Sequence, residues 1–525
     1  MADVERPWSF EPLTPTAFLT RSALVHPDRL AVVDGEQRWT YRELDDRCRR
    51  LAGALAGRVD GRPVAVLAPN SHVLLEAHYA VPWSGSPLVA LNTRLSSGEL
   101  AWILRHSQAA LLLYDDDLAD AAHAAAAEVE GVEMVRVGGD DDGYEELIDS
   151  GHSLIRPVPD ERGLLSINYT SGTTGTPKGV MYHHRGAYLQ ALAMVVHAGL
   201  TWRDVYLWTL PMFHCNGWCF TWAVTAAAAT HVCVRRVEPA EIWRQIDSEG
   251  VTALCGAPTV LTMIGYAPEA RPLAEGRRLR ILTGGAPPTP AILSRMEELG
   301  GEVTHLYGLT ETYGPVVLCE WQPDWDDLDG DAKAHLRARQ GVANVIANPV
   351  RVVDGDGGDV ASDGETTGEI AVRGNDVMLG YLDDDDATAA SIPDGWFRTG
   401  DVGVMHPDGY IELRDRSKDV IISGGENISS VEVEAAISAH PAVLECAVIA
   451  VPDEKWGEVP GAYVTLKDGA SATPEDLIEF VRDRLARFKA PKHVTFGPLP
   501  KTSTGKVQKF ALREEAWAEH DRRIG

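Results

Sequence analysis

The feature that most constrains this chain is a buried strand that runs directly into a loop of glycine and hydroxyl residues. The apolar run Gly163–Asn168 predicts the strand, and Tyr169–Val180, with the sequence YTSGTTGTPKGV, follows it. Glycines let backbone N–H groups approach an anion, while the Ser and Thr hydroxyls and Lys178 add donors and a positive charge. The loop is therefore predicted to bind phosphate. A flexible surface linker is the alternative, and the spacing does not fit a Walker P-loop.

Strand and helix patterns alternate on both sides of this loop, which favours layered α/β structure with parallel sheets. Several predicted strands end in Gly/Pro loops, and ligands of open α/β sheets bind beyond the carboxyl ends of strands. The loops Gly256–Pro258 and Gly284–Pro287 are therefore candidate pocket walls. The main predicted strands are Val64–Ala68, Val205–Leu210, Thr252–Cys255 and Arg280–Thr283, and the main predicted helices are 41–56, 71–82 and 185–200.

The pattern of predicted secondary structure changes twice towards the C-terminus. From Asn348, short strands alternate with Gly and Asp, and a new α/β pattern begins after Asp415. We predict an α/β fold whose large N-terminal domain, residues 1–414, has layered α/β sheets plus a small β-rich subdomain. A hinge at 415–418 then leads to a smaller, mobile α+β C-terminal domain, residues 419–525.

Composition restricts the function classes. A chain of 525 residues is too long for one core, and a net charge of −29 argues against nucleic acid as a partner. The start of the chain lacks a secretory pattern, and we expect no integral membrane segment because no 18-residue apolar stretch occurs. The seven cysteines are scattered, which is typical of reduced thiols, and they lack the spacing of a zinc site. We therefore expect a cytoplasmic protein.

Further motifs follow the phosphate loop in order: Gly284–Pro287, Tyr307–Thr312 (YGLTET), Phe397–Asp401 (FRTGD) and Pro500–Lys509 (PKTSTGKVQK). With Tyr169–Val180, these motifs resemble those of the adenylate-forming (ANL) superfamily, which contains acyl-CoA synthetases, stand-alone adenylation domains and luciferases. The resemblance extends from about residue 15 to about residue 515.

The resemblance implies an ATP site. Tyr307 would stack on adenine, Asp401 would accept hydrogen bonds from the ribose hydroxyls, and Arg416 would reach ribose or phosphate. The implied ATP- and AMP-binding residues are Thr170, Ser171, Gly172, Thr173, Thr174, Lys178, Gly285, Ala286, Pro287, Tyr307, Gly308, Thr310, Asp401, Arg416 and Lys506.

The resemblance also implies a catalytic set. Lys506 matches the active lysine, a point charge on a flexible stem that can meet the charge developing at the α-phosphate. Thr310 would contact phosphate, and Glu311 with Thr170 would hold Mg²⁺, which prefers hard oxygen ligands beside substrate phosphates. Glu311 could instead be a charge at a helix N-terminus. The implied catalytic residues are Lys506, Glu311, Thr310 and His214.

The acyl pocket is implied to lie beside Leu210–Trp218. His214 would line the carboxylate pocket, although a lone histidine among apolar residues is more often structural. Trp218 would gate the acyl tunnel or simply pack in the core. The implied pocket residues are His214, Trp218, Gly284, Gly308, Leu309 and Tyr313.

Asp415 and Lys418 match the interdomain hinge, which would absorb a backbone rotation. By itself, this run of alternating charges would be most typical of a solvated turn. The segment Ser423, Gly424 and Gly425 would contact CoA, although several relatives carry lysine where this chain has Ile422. CoA phosphates would meet a basic cluster, which is otherwise a solvated face: Arg482, Arg484, Arg487, Lys489 and Lys492.

The predicted function is that of an acid–thiol ligase, an AMP-forming acyl-CoA synthetase. ATP and a carboxylic acid, with Mg²⁺, would give an acyl-adenylate and pyrophosphate, and CoA would then accept the acyl group. Small and apolar residues near the motifs favour an apolar acyl tail. The local motifs most resemble those of bacterial fatty-acyl-CoA synthetases, and this resemblance implies a medium- to long-chain fatty acid. The alternatives are a short-chain or aryl acid, or a carrier protein as acceptor, and a homodimer is compatible with the sequence.

Overall fold

The computed structural model describes residues 11–139, 142–170, 177–286, 288–416, 419–423, 426–453, 456–501 and 507–518. Strands and helices alternate from the start of the described chain. Up to His197 the elements are α1 (Ala17–Val25), β1 (Leu30–Asp34), β2 (Gln37–Thr40), α2 (Tyr41–Val59), β3 (Val64–Leu67), α3 (His72–Trp83), β4 (Leu88–Ala90), α4 (Ser97–His106), β5 (Leu111–Asp115), α5 (Ala119–Ala126), β6 (Glu133–Val137), α6 (Gly143–Ser150), β7 (Leu164–Tyr169), β8 (Gly179–His183) and α7 (His184–His197).

The alternation continues through the second part of the N-terminal domain. The elements there are β9 (Val205–Trp208), α8 (Phe220–Ala226), β10 (Thr230–Cys233), α9 (Pro239–Ser248), β11 (Ala253–Gly256), α10 (Pro258–Gly265), β12 (Leu279–Thr283), α11 (Pro290–Glu298), β13 (Gly301–Leu309), β14 (Gly314–Leu318), α12 (Gly330–Ala338) and β15 (Val342–Ala343).

Strands predominate after Val350. The remaining elements are β16 (Arg351–Val353), β17 (Thr367–Val372), β18 (Gly380–Tyr381), α13 (Asp385–Ser391), β19 (Phe397–Met405), β20 (Ile411–Arg416), β21 (Ile421–Ser423), β22 (Glu426–Ile428), α14 (Ser430–Ser438), β23 (Val443–Asp453), β24 (Gly457–Leu466), α15 (Pro474–Arg482), β25 (His493–Phe496) and α16 (Lys509–Trp517).

Within the described residues, these strands form four sheets. The largest has the order β15-β14-β13-β12-β11-β9-β10-β1-β2, and the second has the order β18-β8-β7-β4-β3-β5-β6. The inner strands of both sheets are parallel, and antiparallel strands lie at their edges. A four-stranded sheet, β16-β17-β19-β20, forms the β-rich subdomain, and β21 to β25 form the C-terminal sheet. The predicted α/β fold class is confirmed.

One continuous core joins the two large sheets through the helices between them. It contains buried side chains from α1, α2, α3, α7 and α8, together with strands of both sheets. Tyr41, for example, is fully buried, and its hydroxyl donates a 2.6 Å hydrogen bond to the carbonyl of Ala229, just before β10. The two sheets therefore share one hydrophobic interior, which fixes the loops at their strand ends relative to one another.

Local sequence signals explain the starts of several helices. A capping box starts α2: the Thr40 hydroxyl accepts from the Glu43 N–H, and the Glu43 carboxylate accepts from the Thr40 N–H. Ser96 and Thr473 form the same motif at α4 and α15. Boundaries differ by a few residues: the strand predicted at Val205–Leu210 is observed at Val205–Trp208, and the helix predicted at 185–200 is observed at His184–His197.

One connection was not predicted from the sequence. The short strand β18 follows β17 in the chain, yet it leaves the β-rich sheet and pairs antiparallel with β8, where Gly380 faces Met181 and Tyr381 faces Val180. The subdomain therefore supplies the edge strand beside the predicted phosphate loop.

Candidate active site

Several of the predicted motifs follow the carboxyl ends of strands in the two large sheets. The phosphate loop follows β7, the Gly284–Ala286 segment follows β12, and a short turn, Thr310–Thr312, follows β13. In open α/β sheets, ligands bind outside these ends. The topology thus collects separate motifs on one side of the molecule.

Two hydrogen bonds close the base of the phosphate loop. The Thr170 N–H donates to the Lys178 carbonyl at 3.0 Å, and the Lys178 N–H donates to Oγ1 of Thr170 at 3.2 Å. These bonds hold the two ends of the loop side by side, as an anion-binding turn requires. The predicted loop residues Ser171, Gly172, Thr173 and Thr174 lie outside the described residues.

Tyr381 links the phosphate loop to the predicted metal ligand, and the sequence analysis missed it. Its hydroxyl donates to Oε1 of Glu311 at 2.9 Å, and Nζ of Lys178 lies 4.4 Å from the centroid of its ring. Burial and the neighbouring Glu311 carboxylate raise the pKa of Tyr381 well above its usual value, so the hydroxyl remains a donor. The sequence feature that could have drawn attention to Tyr381 is the Gly380-Tyr381 pair. However, no local pattern indicates which strand this pair joins.

The Thr310–Thr312 turn is held from two sides. The hydroxyl of Tyr182, on β8, donates to the Thr310 carbonyl at 2.5 Å, and the thiol of Cys215 donates to Oγ1 of Thr310 at 3.6 Å. Burial raises the pKa of Cys215 to about 12, so the sulfur stays a neutral thiol beside the phosphate-binding elements. Glu311 therefore projects from a turn that is fixed on the N-terminal domain.

A direct contact joins the two residues predicted to hold adenine and ribose. The hydroxyl of Tyr307 donates to Oδ2 of Asp401 at 2.7 Å, and both side chains are buried. In the β19–β20 ladder, Asp401 lies opposite Arg416, so the third predicted nucleotide residue starts from the adjacent strand. The side chain of Arg416 lies outside the described part of the chain.

Glycine is required at two of the predicted contact positions. A Cβ at Gly308 would lie 1.9 Å from the Gly314 carbonyl oxygen, and a Cβ at Gly284 would lie 2.8 Å from the Leu306 carbonyl oxygen. Gly285 has a φ of +86°, and it is exposed together with Ala286. The backbone at the end of β12 is therefore open to a ligand, while Pro287 lies outside the described residues.

Trp218 fills the space behind this backbone. Its ring lies against the position where a Cβ of Gly284 would be, at 3.2 Å, and against Gly314 on the other side, where a Cβ would lie 2.9 Å away. Only 7% of the side chain is exposed. Partly buried His214 precedes this tryptophan on the same loop, and Leu309 is also partly buried at the end of β13.

Tyr313, which is predicted to line the acyl pocket, lies in the protein interior. It is fully buried, its ring stacks on Tyr182 with centroids 3.8 Å apart, and its hydroxyl accepts from the His183 N–H at 2.7 Å. The side chain therefore packs between β8 and the core. The reason is its φ of +59°, which turns the side chain away from the direction that an extended strand would give it.

In the C-terminal part, the structure describes only some of the predicted residues. Asp415 is buried, and its Oδ2 accepts from the Ser430 N–H at 2.6 Å, at the start of α14. Ser423 pairs with Gly457 in the C-terminal sheet. In the predicted basic cluster, Lys489 forms an ion pair with Glu432. Lys418, Gly424, Gly425 and Lys506 lie outside the described residues, so their roles stay predictions.

Comparison with known proteins agrees with this arrangement. Residues 19–382 match the family described as AMP-binding enzyme, and residues 432–506 match the AMP-binding enzyme C-terminal domain. The chain is 44% identical to the peroxisomal acetate/butyrate–CoA ligase of Arabidopsis thaliana over 97% of its own length and 95% of that protein. It is also 44% identical to the acetate–CoA ligase of Humulus lupulus, over 97% of its own length and 95% of that protein.

A solved structure also shares the fold. The ATP-bound form of MatB from Rhodopseudomonas palustris aligns with a TM-score of 0.85 at 28% identity and covers 97% of this chain and all of its own. The chain therefore belongs to the AMP-binding enzyme family, the adenylate-forming superfamily. The predicted enzyme class, an AMP-forming acid–thiol ligase that uses ATP and CoA, is confirmed.

Among the residues that the structure describes, no helix has the length and apolarity needed to cross a bilayer. Nor do the described residues contain a group of three or more His, Cys, Asp or Glu side chains placed to hold a metal ion. A site for Mg²⁺ in this family of reactions needs fewer protein ligands, because substrate phosphates supply the others. The carboxylate of Glu311 and the hydroxyl of Thr170 are oxygen donors of the suitable type.

Proposed function

We propose that this ligase activates a short-chain carboxylic acid. The observation that carries the proposal is the position of Trp218, whose indole occupies the space between Gly284 and Gly314. An acid whose carboxylate lies beside Gly284 would meet the indole after only a few carbons. A medium- to long-chain acid was predicted from the sequence, with a short-chain acid as an alternative. The bulk of the Trp218 side chain supports the short-chain acid. The names of the two plant relatives, which refer to acetate and butyrate, agree with it.

In the first half-reaction, a carboxylate oxygen attacks the α-phosphate of ATP, and pyrophosphate leaves with its electron pair. No proton needs to be removed from the attacking group, so the site has to position the reactants and neutralise negative charge. Tyr307 and Asp401 are suited to hold the nucleoside, and Lys178 carries a charge at the phosphate loop. Lys506 would neutralise charge at the α-phosphate. When bound, Mg²⁺ would be held by Glu311 and Thr170 and would supply Lewis-acid neutralisation of the phosphates.

In the second half-reaction, the thiolate of CoA attacks the acyl carbon, and AMP leaves. The C-terminal domain would turn about Asp415–Lys418, withdraw Lys506 and bring Ser423–Gly425 to the site. The buried hydrogen bond between Asp415 and the Ser430 N–H links the end of β20 to the first helix of the C-terminal domain. This link supports a role for Asp415 in the proposed domain rotation.

The experiment is a pyrophosphate-release assay with ATP, Mg²⁺ and CoA across acetate, propionate, butyrate, hexanoate, decanoate and benzoate. We expect the highest kcat/KM with one of the three shortest acids. For Trp218→Ala we expect the preference to move to hexanoate or decanoate. The matched control is Trp202→Ala, because this indole is 43% exposed, and its loss should leave the preference unchanged.

The same assay separates the alternatives. Maximal activity with decanoate or benzoate in the unmodified protein would contradict the short-chain assignment. Release of pyrophosphate without any thioester of free CoA would favour a carrier protein as the acceptor. The cytoplasmic location and a homodimer stay predictions, and they would be tested by fractionation of the source cells and by sedimentation.

A further inference from the structure

The loop that carries His214 and Trp218 continues into a turn of unusual handedness. The five residues Cys215–Cys219, here called the left-handed turn, all have positive φ angles, between 44° and 62°. Two i to i+3 hydrogen bonds define it: the Gly217 N–H donates to the His214 carbonyl at 2.8 Å, and the Cys219 N–H donates to the Asn216 carbonyl at 3.2 Å. L-residues adopt this conformation singly in ordinary turns, so a run of them needs external support.

The side chain of Asn216 supplies that support. Its Oδ1 accepts from Oγ of Ser166 at 2.7 Å and from Nδ2 of Asn168 at 2.6 Å, while its own N–H donates to Oδ1 of Asn168 at 3.1 Å. Its Nδ2 donates to Nε2 of His78 at 2.9 Å. All these groups are buried, so the bonds do not compete with water.

His78 is held in the form that this network needs. Its Nδ1 lies 2.6 Å from the Leu74 carbonyl, which can only accept, so Nδ1 carries the proton and Nε2 is the acceptor for Asn216. Burial lowers the pKa of His78 to about 4, and the ring is neutral at neutral pH. The network therefore has a single consistent set of donors and acceptors.

The conformation of the left-handed turn determines where the indole of Trp218 lies. The turn packs closely, because a Cβ at Gly217 would lie 2.7 Å from the ring of Trp208. With Gly217 against Trp208, the next residue, Trp218, enters the space between Gly284 and Gly314. A right-handed or extended backbone at Asn216 would direct the following side chains elsewhere. Asn216, Ser166, Asn168 and His78 are all buried in the protein interior.

We propose that Asn216 is a positioning residue that sets the size limit for the acid, by holding the left-handed turn and thereby the indole of Trp218. This inference rests on the proposed function, since it assigns the limit to the acyl side of the same site. A purely structural role predicts a different result: loss of stability without a change in acid preference.

The test measures the ratio of kcat/KM for hexanoate to that for acetate in purified full-length variants. For Asn216→Ala, which loses the side-chain bonds and disfavours positive φ, we expect this ratio to rise by about fivefold or more, mostly through KM for the acid. For Asn216→Gly, which also loses the bonds but adopts positive φ without strain, we expect a ratio nearer to that of the unmodified protein. The double variant Asn216→Ala/Trp218→Ala should have the ratio of Trp218→Ala alone.

Two further variants complete the test. Tyr144→Phe is the matched control for stability, because it removes a buried hydroxyl bond to the Glu76 carboxylate, which pairs with Arg47 and belongs to a different hydrogen-bond network, and its ratio should not change. Ser166→Ala removes one donor to Asn216, and it should shift the ratio in the same direction by a smaller amount, which tests the role even if Asn216→Ala does not fold.

The outcomes separate this inference from the proposed function. An unmodified protein that releases no pyrophosphate with any short acid contradicts the proposed function. An active unmodified protein whose ratio is unchanged by Asn216→Ala, or by Ser166→Ala where the former does not fold, contradicts only the role of Asn216. A shift of the ratio in Tyr144→Phe as large as that in Asn216→Ala would also contradict the role of Asn216. A general loss of stability would then explain the effect.

Discussion

The hydroxyl of Tyr381 donates a 2.9 Å hydrogen bond to Oε1 of Glu311. Tyr381 reaches this position because β18 leaves the β-rich subdomain and pairs with β8, which begins immediately after Lys178. One phenol thus contacts the carboxylate through its hydroxyl and the lysine through its ring face. We regard it as the residue that orients Glu311 before ATP arrives.

Tyr381→Phe should raise the Mg²⁺ concentration that half-saturates pyrophosphate release by about tenfold, because a hydrogen bond to a charged group contributes roughly 1.5–3 kcal/mol. The ring remains, so the contact with Lys178 is retained, and KM for ATP at saturating Mg²⁺ should change little. Tyr381→Leu should weaken ATP binding as well. Tyr410→Phe, which loses a hydroxyl bond to the Glu320 carbonyl, serves as the control. Unchanged Mg²⁺ dependence in Tyr381→Phe would contradict the orienting role.

Asp401→Asn should raise KM for ATP by about tenfold or more, because a neutral amide replaces the charged acceptor proposed for the ribose hydroxyls. KM for the acid should stay nearly constant. Tyr307→Phe removes the bond to Asp401 but keeps the aromatic face, so its effect should be smaller. Initial-rate kinetics with ATP and acid varied separately measure both constants. A larger increase in KM for the acid than for ATP would show that Asp401 acts elsewhere.

Asp376 should make stability depend on pH. It is fully buried, with an Asn344 amide on Oδ2, and burial raises its pKa from 3.8 to about 7. The native state keeps the proton while the unfolded chain loses it, so the stabilising contribution is complete below pH 3.8 and is lost as pH rises to about 7. Asp376→Asn resembles the protonated form and removes this dependence.

The free energy of unfolding of Asp376→Asn, relative to that of the unmodified protein, should therefore rise by roughly 3 kcal/mol between pH 5 and pH 8 and level off above neutrality. Urea denaturation at intervals between pH 5 and pH 8 measures the difference. The exposed Asp363, changed to Asn, is the control and should give curves parallel to those of the unmodified protein. Parallel curves for Asp376→Asn would mean that Asp376 is ionised in the native state.

Lys506→Ala should reduce formation of the acyl-adenylate by about 100-fold or more, because it removes a charge that neutralises the transition state. Formation of the CoA thioester from a supplied acyl-adenylate should change far less, since the proposed domain rotation would withdraw Lys506 in that step. Single-turnover assays separate the two half-reactions. Lys492→Ala, in the basic cluster, is a matched lysine control for adenylation. Equal losses in both half-reactions would contradict this division of labour.

Local patterns in the sequence were sufficient for most strands, several helix starts and the order of the motifs. The buried strand before the phosphate loop, for example, is observed one residue from its predicted position, at Leu164–Tyr169. Such features depend on residues close together in the chain, where turn chemistry and hydrophobic periodicity act directly.

The structural features that were not predicted from the sequence depend on contacts between segments that are distant in the chain. Tyr381 is 70 residues from Glu311, and nothing near it in the chain indicates which strand it will join. The left-handed turn was missed because Asn216 and Gly217 suggest one residue with positive φ, whereas the run of five is stabilised by side chains on β7 and α3. The hydrogen bond between Tyr313 and His183 likewise joins residues that are 130 positions apart in the chain.

The parallel pairing of β1 with β10 has a consequence for biosynthesis. The Thr230 hydroxyl bonds to the Leu30 carbonyl across 200 residues of sequence, and β3, the next parallel strand after β1, already belongs to the other large sheet. At translation rates of 5–20 residues per second, roughly 10–40 s pass between the synthesis of β1 and that of its partner strand β10. The apolar face of the emerging N-terminal segment is then uncovered, so chaperone binding should concentrate on nascent chains that end before β10.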